Sequence, residues 1–329
     1  MRGLLFKLMV GLASALVMPA VAQAQSWTAS YQFPVGDPRD EAMHGIARAT
    51  AAAGLDIRLF AAGALMRPVD QWAALSNGSV DIIFIPADYL QDRIPQIAAL
   101  SLPGMIRTRA QAARVAATPG MRDIRRLIEA AGAVILADTW IPGASASRKR
   151  CVLNPADARG MRARTIGRYM TEYWSAIGAV PVPATTSETL PVLVGSGLID
   201  IANTSAATLM SLKMENQFVC LTLPGEAGAL WYLYEPILVS KRRFDALDEP
   251  ARRALLDAAI LAQEQLAQAS SQIERRLAGT YIAAGIETVS YDAETLAMWH
   301  KIARKTVWKS FREQVPGGAE LLERLQTPD

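Results

Sequence analysis

The chain has 329 residues, just over half of them apolar, with a formal charge of +3 and two histidines. Near-neutrality excludes the basic stripe that nucleic-acid binding needs. Its length exceeds what one hydrophobic core usually serves, so two domains are expected.

The first 24 residues read as an export leader. Arg2 and Lys7 form a positive start, 8–21 is an apolar stretch too short to span a bilayer, and Ala22-Gln23-Ala24 is a small-x-small cleavage site. No twin-arginine pair is present, and no later run has the length of a transmembrane helix. Loss of Arg2 and Lys7 with the leader leaves a charge of +1 on about 305 residues, and the mature protein is expected in the bacterial periplasm. Cys151 and Cys220 lie far apart and form no CxxC motif. In an oxidising compartment they can form a disulfide; two buried thiols are the other reading.

Strand and helix patterns alternate along the chain. Residues 26–33 alternate as a strand, Asp37 caps a helix with Pro38 at its first position and Gly54 at its end, and 56–60 is a second strand. A short helix over 69–76 stops at Asn77-Gly78, before a buried strand over 80–85. A helix at 122–131 and a strand at 133–137 complete a first α/β unit. After an extended segment at 145–152, a second unit has strands at 161–166, 179–183 and 199–203 and helices at 168–177 and 186–194. Extended segments at 218–223 and 230–240 lead to a helix over 250–283, roughly 50 Å long, with Leu266, Ile273, Leu277 and Tyr281 on one stripe. Such a helix should run across both units. A last amphipathic helix is expected over 293–311. The predicted fold is α/β and two-lobed: open, mostly parallel sheets joined by long hinge strands and the long helix.

Catalytic signals are poor. His44 and His300 fall on predicted helices with no Cys, His or carboxylate at metal-ligand spacing. The stretch from Gly143 to Ser147 matches a nucleophile elbow only in part, and Gly195-Ser-Gly197 is a helix stop, not a phosphate loop. No catalytic residue, metal site or cofactor is assigned. Arg164 is the better candidate. It lies in a strand among Met161, Ala163, Thr165 and Ile166, where a guanidinium needs oxygen partners and matches a carboxylate with two parallel hydrogen bonds. Arg162, on the same strand face, reads as solvent-facing. Trp140, Trp231, Tyr232 and Tyr234 fall at strand ends or in extended segments, where a cleft would be lined; Phe33 and Tyr89 join Trp140 and Trp231 as ligand-contact candidates.

From Asn154 onward the chain resembles the solute-binding proteins of tripartite ATP-independent periplasmic (TRAP) transporters. A family stretch like D-L-K-G-L-K-I-R-V-P appears as Asp157-Ala-Arg-Gly160-Met-Arg-Ala-Arg164-Thr-Ile166, and L-G-A-x-P-V-P as Ile177-Gly-Ala-Val-Pro-Val-Pro183. Gly197-Leu-Ile-Asp200, Val219-Cys-Leu-Thr-Leu223 and the run from Phe244 to Arg252 follow in the family's order. Weaker echoes lie at Gly78-Ser-Val-Asp81 and Leu102-Pro-Gly-Met-Ile106.

The resemblance implies a receptor without enzymatic activity, whose cleft closes on a small carboxylate held by Arg164 and which serves an integral membrane TRAP permease. It implies lobes of 25–142 plus about 222–265, and 143–221 plus about 266–329. It also places the strands bearing Cys151 and Cys220 side by side, which favours the disulfide. Members that bind sialic acid differ here: a second arginine aligns with Ala144, an acid falls near Pro86, and an aromatic falls at Thr186. Thr186, Asn203 and Thr204 are the neutral groups expected to hydrogen-bond the ligand. A sensing module and, behind it, an enzyme on the same scaffold are the alternative readings.

Overall fold

A computed structural model describes residues 25–184 and 189–327. The leader and Thr186 lie outside the described residues.

The first lobe grows from strands β1 (Gln25–Tyr31) and β2 (Leu55–Phe60), joined by helix α1 (Pro38–Ala51). Asp37 caps α1 by accepting the Arg39 backbone N–H at 2.8 Å, with Pro38 at the first position as expected. Helix α2 (Gln71–Asn77) ends on Gly78, whose φ of 83° suits glycine, and leads into β3 (Ile82–Phe84). Helices α3 (Arg109–Ala117) and α4 (Pro119–Ala130) precede β4 (Ala133–Ala137). The chain then crosses into β5 (Trp140–Ser147), which opens the second lobe.

There, β6 (Arg162–Thr165), α5 (Gly167–Ala176), β7 (Val180–Pro183), α6 (Leu190–Gly195), β8 (Ile201–Ser205) and α7 (Ala206–Leu212) follow in turn, then β9 (Cys220–Leu223). Strands β10 (Tyr232–Tyr234) and β11 (Ile237–Ser240) carry the chain back to the first lobe, where α8 (Lys241–Asp245) starts the approach to α9 (Glu249–Ala283). Strand β12 (Glu287–Ser290) and helices α10 (Ala293–Lys305), α11 (Val307–Gln314) and α12 (Gly318–Gln326) complete the described chain.

Two sheets result. One runs β2-β1-β3-β11-β4; the other runs β12-β9-β5-β8-β6-β7, with β10 on β5. The strands linked by helices are parallel: β1 with β2 and β3, and β6 with β7 and β8. The crossing strands β5, β10 and β11 enter antiparallel, so each sheet is mixed.

Helix α9 ties the lobes together. Leu255, Ala259, Ala262 and Leu266 enter the core on the first sheet, while Ile273, Leu277 and Tyr281 enter the core on the second. A third apolar body runs from Ile83 and Leu90 through Trp299, Trp308 and Phe311 to Met161 and Tyr173, and α12 packs against α4. The single helix expected over 293–311 breaks at Thr306 (φ −113°, ψ −91°) into α10 and α11. With the break, Trp299 donates to the Leu153 carbonyl at 2.6 Å and Trp308 to the Pro103 carbonyl at 2.9 Å. Cys151 and Cys220 are bonded, Cα atoms 5.1 Å apart; Cys151 sits just beyond β5 and Cys220 opens β9. Among the described residues no helix is long and apolar enough to cross a membrane.

Candidate functional site

The C-terminal ends of β1 and β3 from one lobe, and of β6 and β8 from the other, carry a group of buried charges at the boundary between the lobes. In open α/β sheets this is where ligands bind. Arg164 is 1% exposed. Its Nε donates to the Ala184 carbonyl at 2.8 Å and its Nη1 to the Asn203 carbonyl at 3.2 Å. Register puts Ala163 opposite Ile201, so Arg164 shares a sheet face with Ala202 and Thr204, and Asn203 turns its side chain to the other face. There the Asn203 Oδ1 accepts the Ser145 hydroxyl at 3.2 Å. The Asn203 Nδ2 and Thr204 Oγ1 are buried without a partner among the described residues. Arg162, two residues before Arg164, is half-exposed and pairs with Asp200 at 2.9 Å. The hydrogen bond from Arg162 holds the Asp200 carboxyl well below the usual range.

Asp88, 7% exposed, lies on a turn just past β3. Its oxygens accept the Gln91 side chain at 2.6 Å and the Ser101 hydroxyl at 3.2 Å. Burial lifts its pKa to about 6, against the Ser101 hydrogen bond and the attraction of Arg164. Gln91 also accepts the Arg168 backbone N–H of α5 at 3.3 Å, which links this turn to the second lobe.

A second buried guanidinium joins the lobes. Arg39 on α1 holds Asp37 through Nε and Nη2, both at 2.8 Å, and Glu235 through Nη1 at 3.0 and 3.1 Å. It reaches the second lobe at Thr208 Oγ1 (3.3 Å) and Ser205 Oγ (3.5 Å), and the Ser211 hydroxyl donates to Asp37. Burial acts against the Asp37 charge, but Arg39 and these hydrogen bonds hold its pKa below the usual value. Glu235 lies between the crossing strands β10 and β11, with its N–H on the Thr139 carbonyl at 2.8 Å. Burial outweighs the pull of Arg39, and Asp37 and Asp88 add repulsion, so its pKa rises to about 7.

The Glu235 shift has a defined sign. An acid whose folded pKa exceeds its unfolded value binds protons on folding between the two, so its contribution to stability falls as pH rises from about 4.5 to about 7. Glu235→Gln should therefore remove a downward slope from the melting temperature across that window. Identical slopes in variant and wild type would refute the assignment.

The aromatic candidates separate. Phe33 is buried against Phe84, ring centroids 4.8 Å apart, with the Arg39 guanidinium 3.8 Å from its centroid. Tyr89, on the Asp88 turn, donates to Gln32 Oε1 at 2.7 Å. Trp140 lies instead at the strand crossing, on a cavity of about 160 Å³ shared with Arg109, Asp138, Thr139 and Gln263. Trp231 packs against Gly143: a Cβ there would sit 2.2 Å from Trp231 Cε2. Gly143→Ala should destabilise the fold by about 1–3 kcal/mol through overpacking, read as a lower denaturation midpoint; an unchanged midpoint would show that the indole yields freely. Of the histidines, His44 is exposed and His300 is buried against Gly104, its pKa pushed down to about 4 by burial and by Arg107.

Sequence reasoning missed Asp88, Arg39 and Glu235. Glu235 carried a signal, as the one acid in the apolar run 229–239. Asp88 stands two residues past Pro86, the position matched to the acid of sialic-acid-binding members. Arg39, in a first helical turn, looked like an ordinary solvated residue.

A family model described as bacterial extracellular solute-binding protein, family 7, matches residues 41–314. A solute-binding protein of Albidiferax ferrireducens is 29% identical over 336 aligned positions, spanning 99% of this chain and 98% of its own. A TRAP periplasmic solute-binding protein from Rhodoferax ferrireducens, solved with bound malonate, superposes with a TM-score of 0.87 at 28% identity, covering 91% of this chain and 96% of that one. An extracytoplasmic solute receptor from Bordetella pertussis that binds pyroglutamic acid shares the fold, with a TM-score of 0.83 at 20% identity over 92% of this chain and all of that one. With a matched region spanning most of its length, this chain belongs to the bacterial extracellular solute-binding proteins of family 7.

Proposed function

We propose that this chain is an exported receptor that captures a small organic acid between its lobes and delivers it to the membrane permease of a TRAP transporter. The observation that carries the reading is Arg164, a buried guanidinium at the strand ends where the two lobes meet. A charge kept there is stabilised by an arriving carboxylate, which its fork matches bidentately. Malonate and pyroglutamate in the related receptors support the same ligand class. Thr186 and Thr204 supply neutral hydrogen bonds, Asn203 supports Arg164 through its backbone carbonyl rather than meeting the ligand with its side chain, and Phe33 and Tyr89 form apolar walls. The lobes, 25–142 with about 222–265 and 143–221 with about 266–329, close by bending at the strand crossings. Removal of residues 1–24 on export to the periplasm accords with the Cys151–Cys220 bond, which an oxidising compartment sustains.

A thermal-shift screen of the mature protein against organic acids tests this. A ligand that binds only the folded state, at a hundred times its Kd, adds about 2.7 kcal/mol of stability. A panel of small carboxylates that leaves the melting point unmoved would count against the reading.

A further inference from the structure

The cavity at the strand crossing is built apart from the Arg164 site. It holds about 160 Å³ between α3, α9 and the segment that leads from β4 into β5. None of Arg164, Phe33 and Tyr89 lines it. Ala112 and Ala116 of α3 and Leu266 of α9 give it an apolar floor, and Trp140 closes one side.

The polar groups around this floor are one-sided. Their strong acceptors are spent. The Asp138 carboxylate takes the Tyr234 hydroxyl at 2.6 Å and the Arg125 guanidinium, which balances its charge. Gln263 Oε1 accepts the Asp138 backbone N–H at 2.6 Å, and the Thr139 hydroxyl is turned away to donate to the Glu235 carbonyl. The donors are not spent. Gln263 Nε2 and the Arg109 guanidinium make no hydrogen bond to a described residue, and the Trp140 indole N–H is buried without an acceptor among them. Glu274 attracts Arg109 without forming an ion pair with it.

A molecule that fits must therefore bring acceptors to open donors and an apolar body to the floor. A carboxylate does the first, because it matches the fork of Arg109. A single ring does the second: an apolar cavity of about 150 Å³ takes up benzene. We propose that this cavity is a second ligand site, distinct from the interlobe cleft, for a monocarboxylate with a compact apolar body, such as an aromatic or branched-chain acid. The site goes beyond the receptor reading above and does not depend on Arg164. It lies on the β4–β5 crossing and on α9, the segments that pass between the lobes.

Calorimetry with benzoate as the probe tests it, on the mature chain carrying Arg164→Ala so that the cleft lacks its anchor. Benzoate should bind one to one, and benzylamine, with the same ring and a cationic donor, at least tenfold more weakly. Gln263→Glu keeps the acceptor for the Asp138 N–H and puts a negative oxygen where the open donor was, so it should weaken benzoate tenfold or more. Arg109→Gln changes an exposed side chain, which leaves folding intact, and should weaken it threefold or more. Benzylamine bound as tightly as benzoate would overturn the proposal, and so would folded Gln263→Glu and Arg109→Gln proteins that bind benzoate as their parent does. Benzoate bound by wild type and lost in Arg164→Ala would place the acid in the cleft: the receptor reading would stand and the second site would fall. No benzoate binding in either protein removes the second site and leaves the cleft to be judged by its own ligands.

Discussion

Arg164→Ala should weaken binding of the cognate acid by about 2–5 kcal/mol, roughly thirtyfold or more, with most of the change in the dissociation rate. The size comes from burial. Arg164 is almost wholly enclosed, so a bound carboxylate would lose both its counter-charge and two hydrogen bonds in a place where water cannot replace them. Arg164→Lys should recover only part of the loss: an ammonium keeps the charge, but it cannot bond the Ala184 and Asn203 carbonyls and still present a planar fork. The unliganded variant should also hold Asp88 protonated to higher pH, because Arg164 is the cation that draws its pKa down. Calorimetry with a ligand found by the thermal screen reads the first effect, and carboxyl titration by NMR the second. Unaltered affinity in Arg164→Ala would remove the anchor.

The contrast between Arg164 and Arg162 shows how far the chain alone can be read. Both lie on one strand face, and strand alternation gives them the same environment. Their roles diverge through Asp200, which arrives from 38 residues away and pairs with Arg162 nearer the surface. The long helix was legible because Leu266, Ile273, Leu277 and Tyr281 repeat at helical spacing, and all four are buried. Helix α3 passed unread, since an Ala-rich stretch has little apolar contrast, although Thr108 followed by Gln111 marks its start. On either side of the break at Thr306, Trp299 and Trp308 bond carbonyls at Leu153 and Pro103, which no local window contains. Arg39 was illegible for the same reason, since its partners Glu235 and Thr208 lie on other elements, whereas Glu235 stood out as an acid in an apolar run without showing which cation it meets. Trp140, at a strand end, borders a cavity at the strand crossing, beside α3 and α9.

Replacing Cys151 and Cys220 together by serine should lower stability by about 4 kcal/mol, the chain-entropy value for a closed loop of 69 residues. The bond sits where that constraint acts on the second lobe. It ties the segment leaving β5 to the start of β9, and inside the loop it closes lie β6, β7 and β8, including Arg164 and Asn203. Without it the unfolded chain regains the freedom of that loop, while the folded lobe keeps its sheet, because β5 and β9 remain paired from Ser145 to Ser147. The expected signature is therefore selective. Denaturant midpoint and melting temperature should fall sharply, whereas the affinity of the folded double variant for its acid should change little, since neither sulfur is among the groups around Arg164. Treatment of the native protein with a reductant should reproduce the loss. Two alkylatable thiols in the native protein, or a double variant as stable as wild type, would show that the sulfurs are not joined or that their bond adds nothing to the folded state.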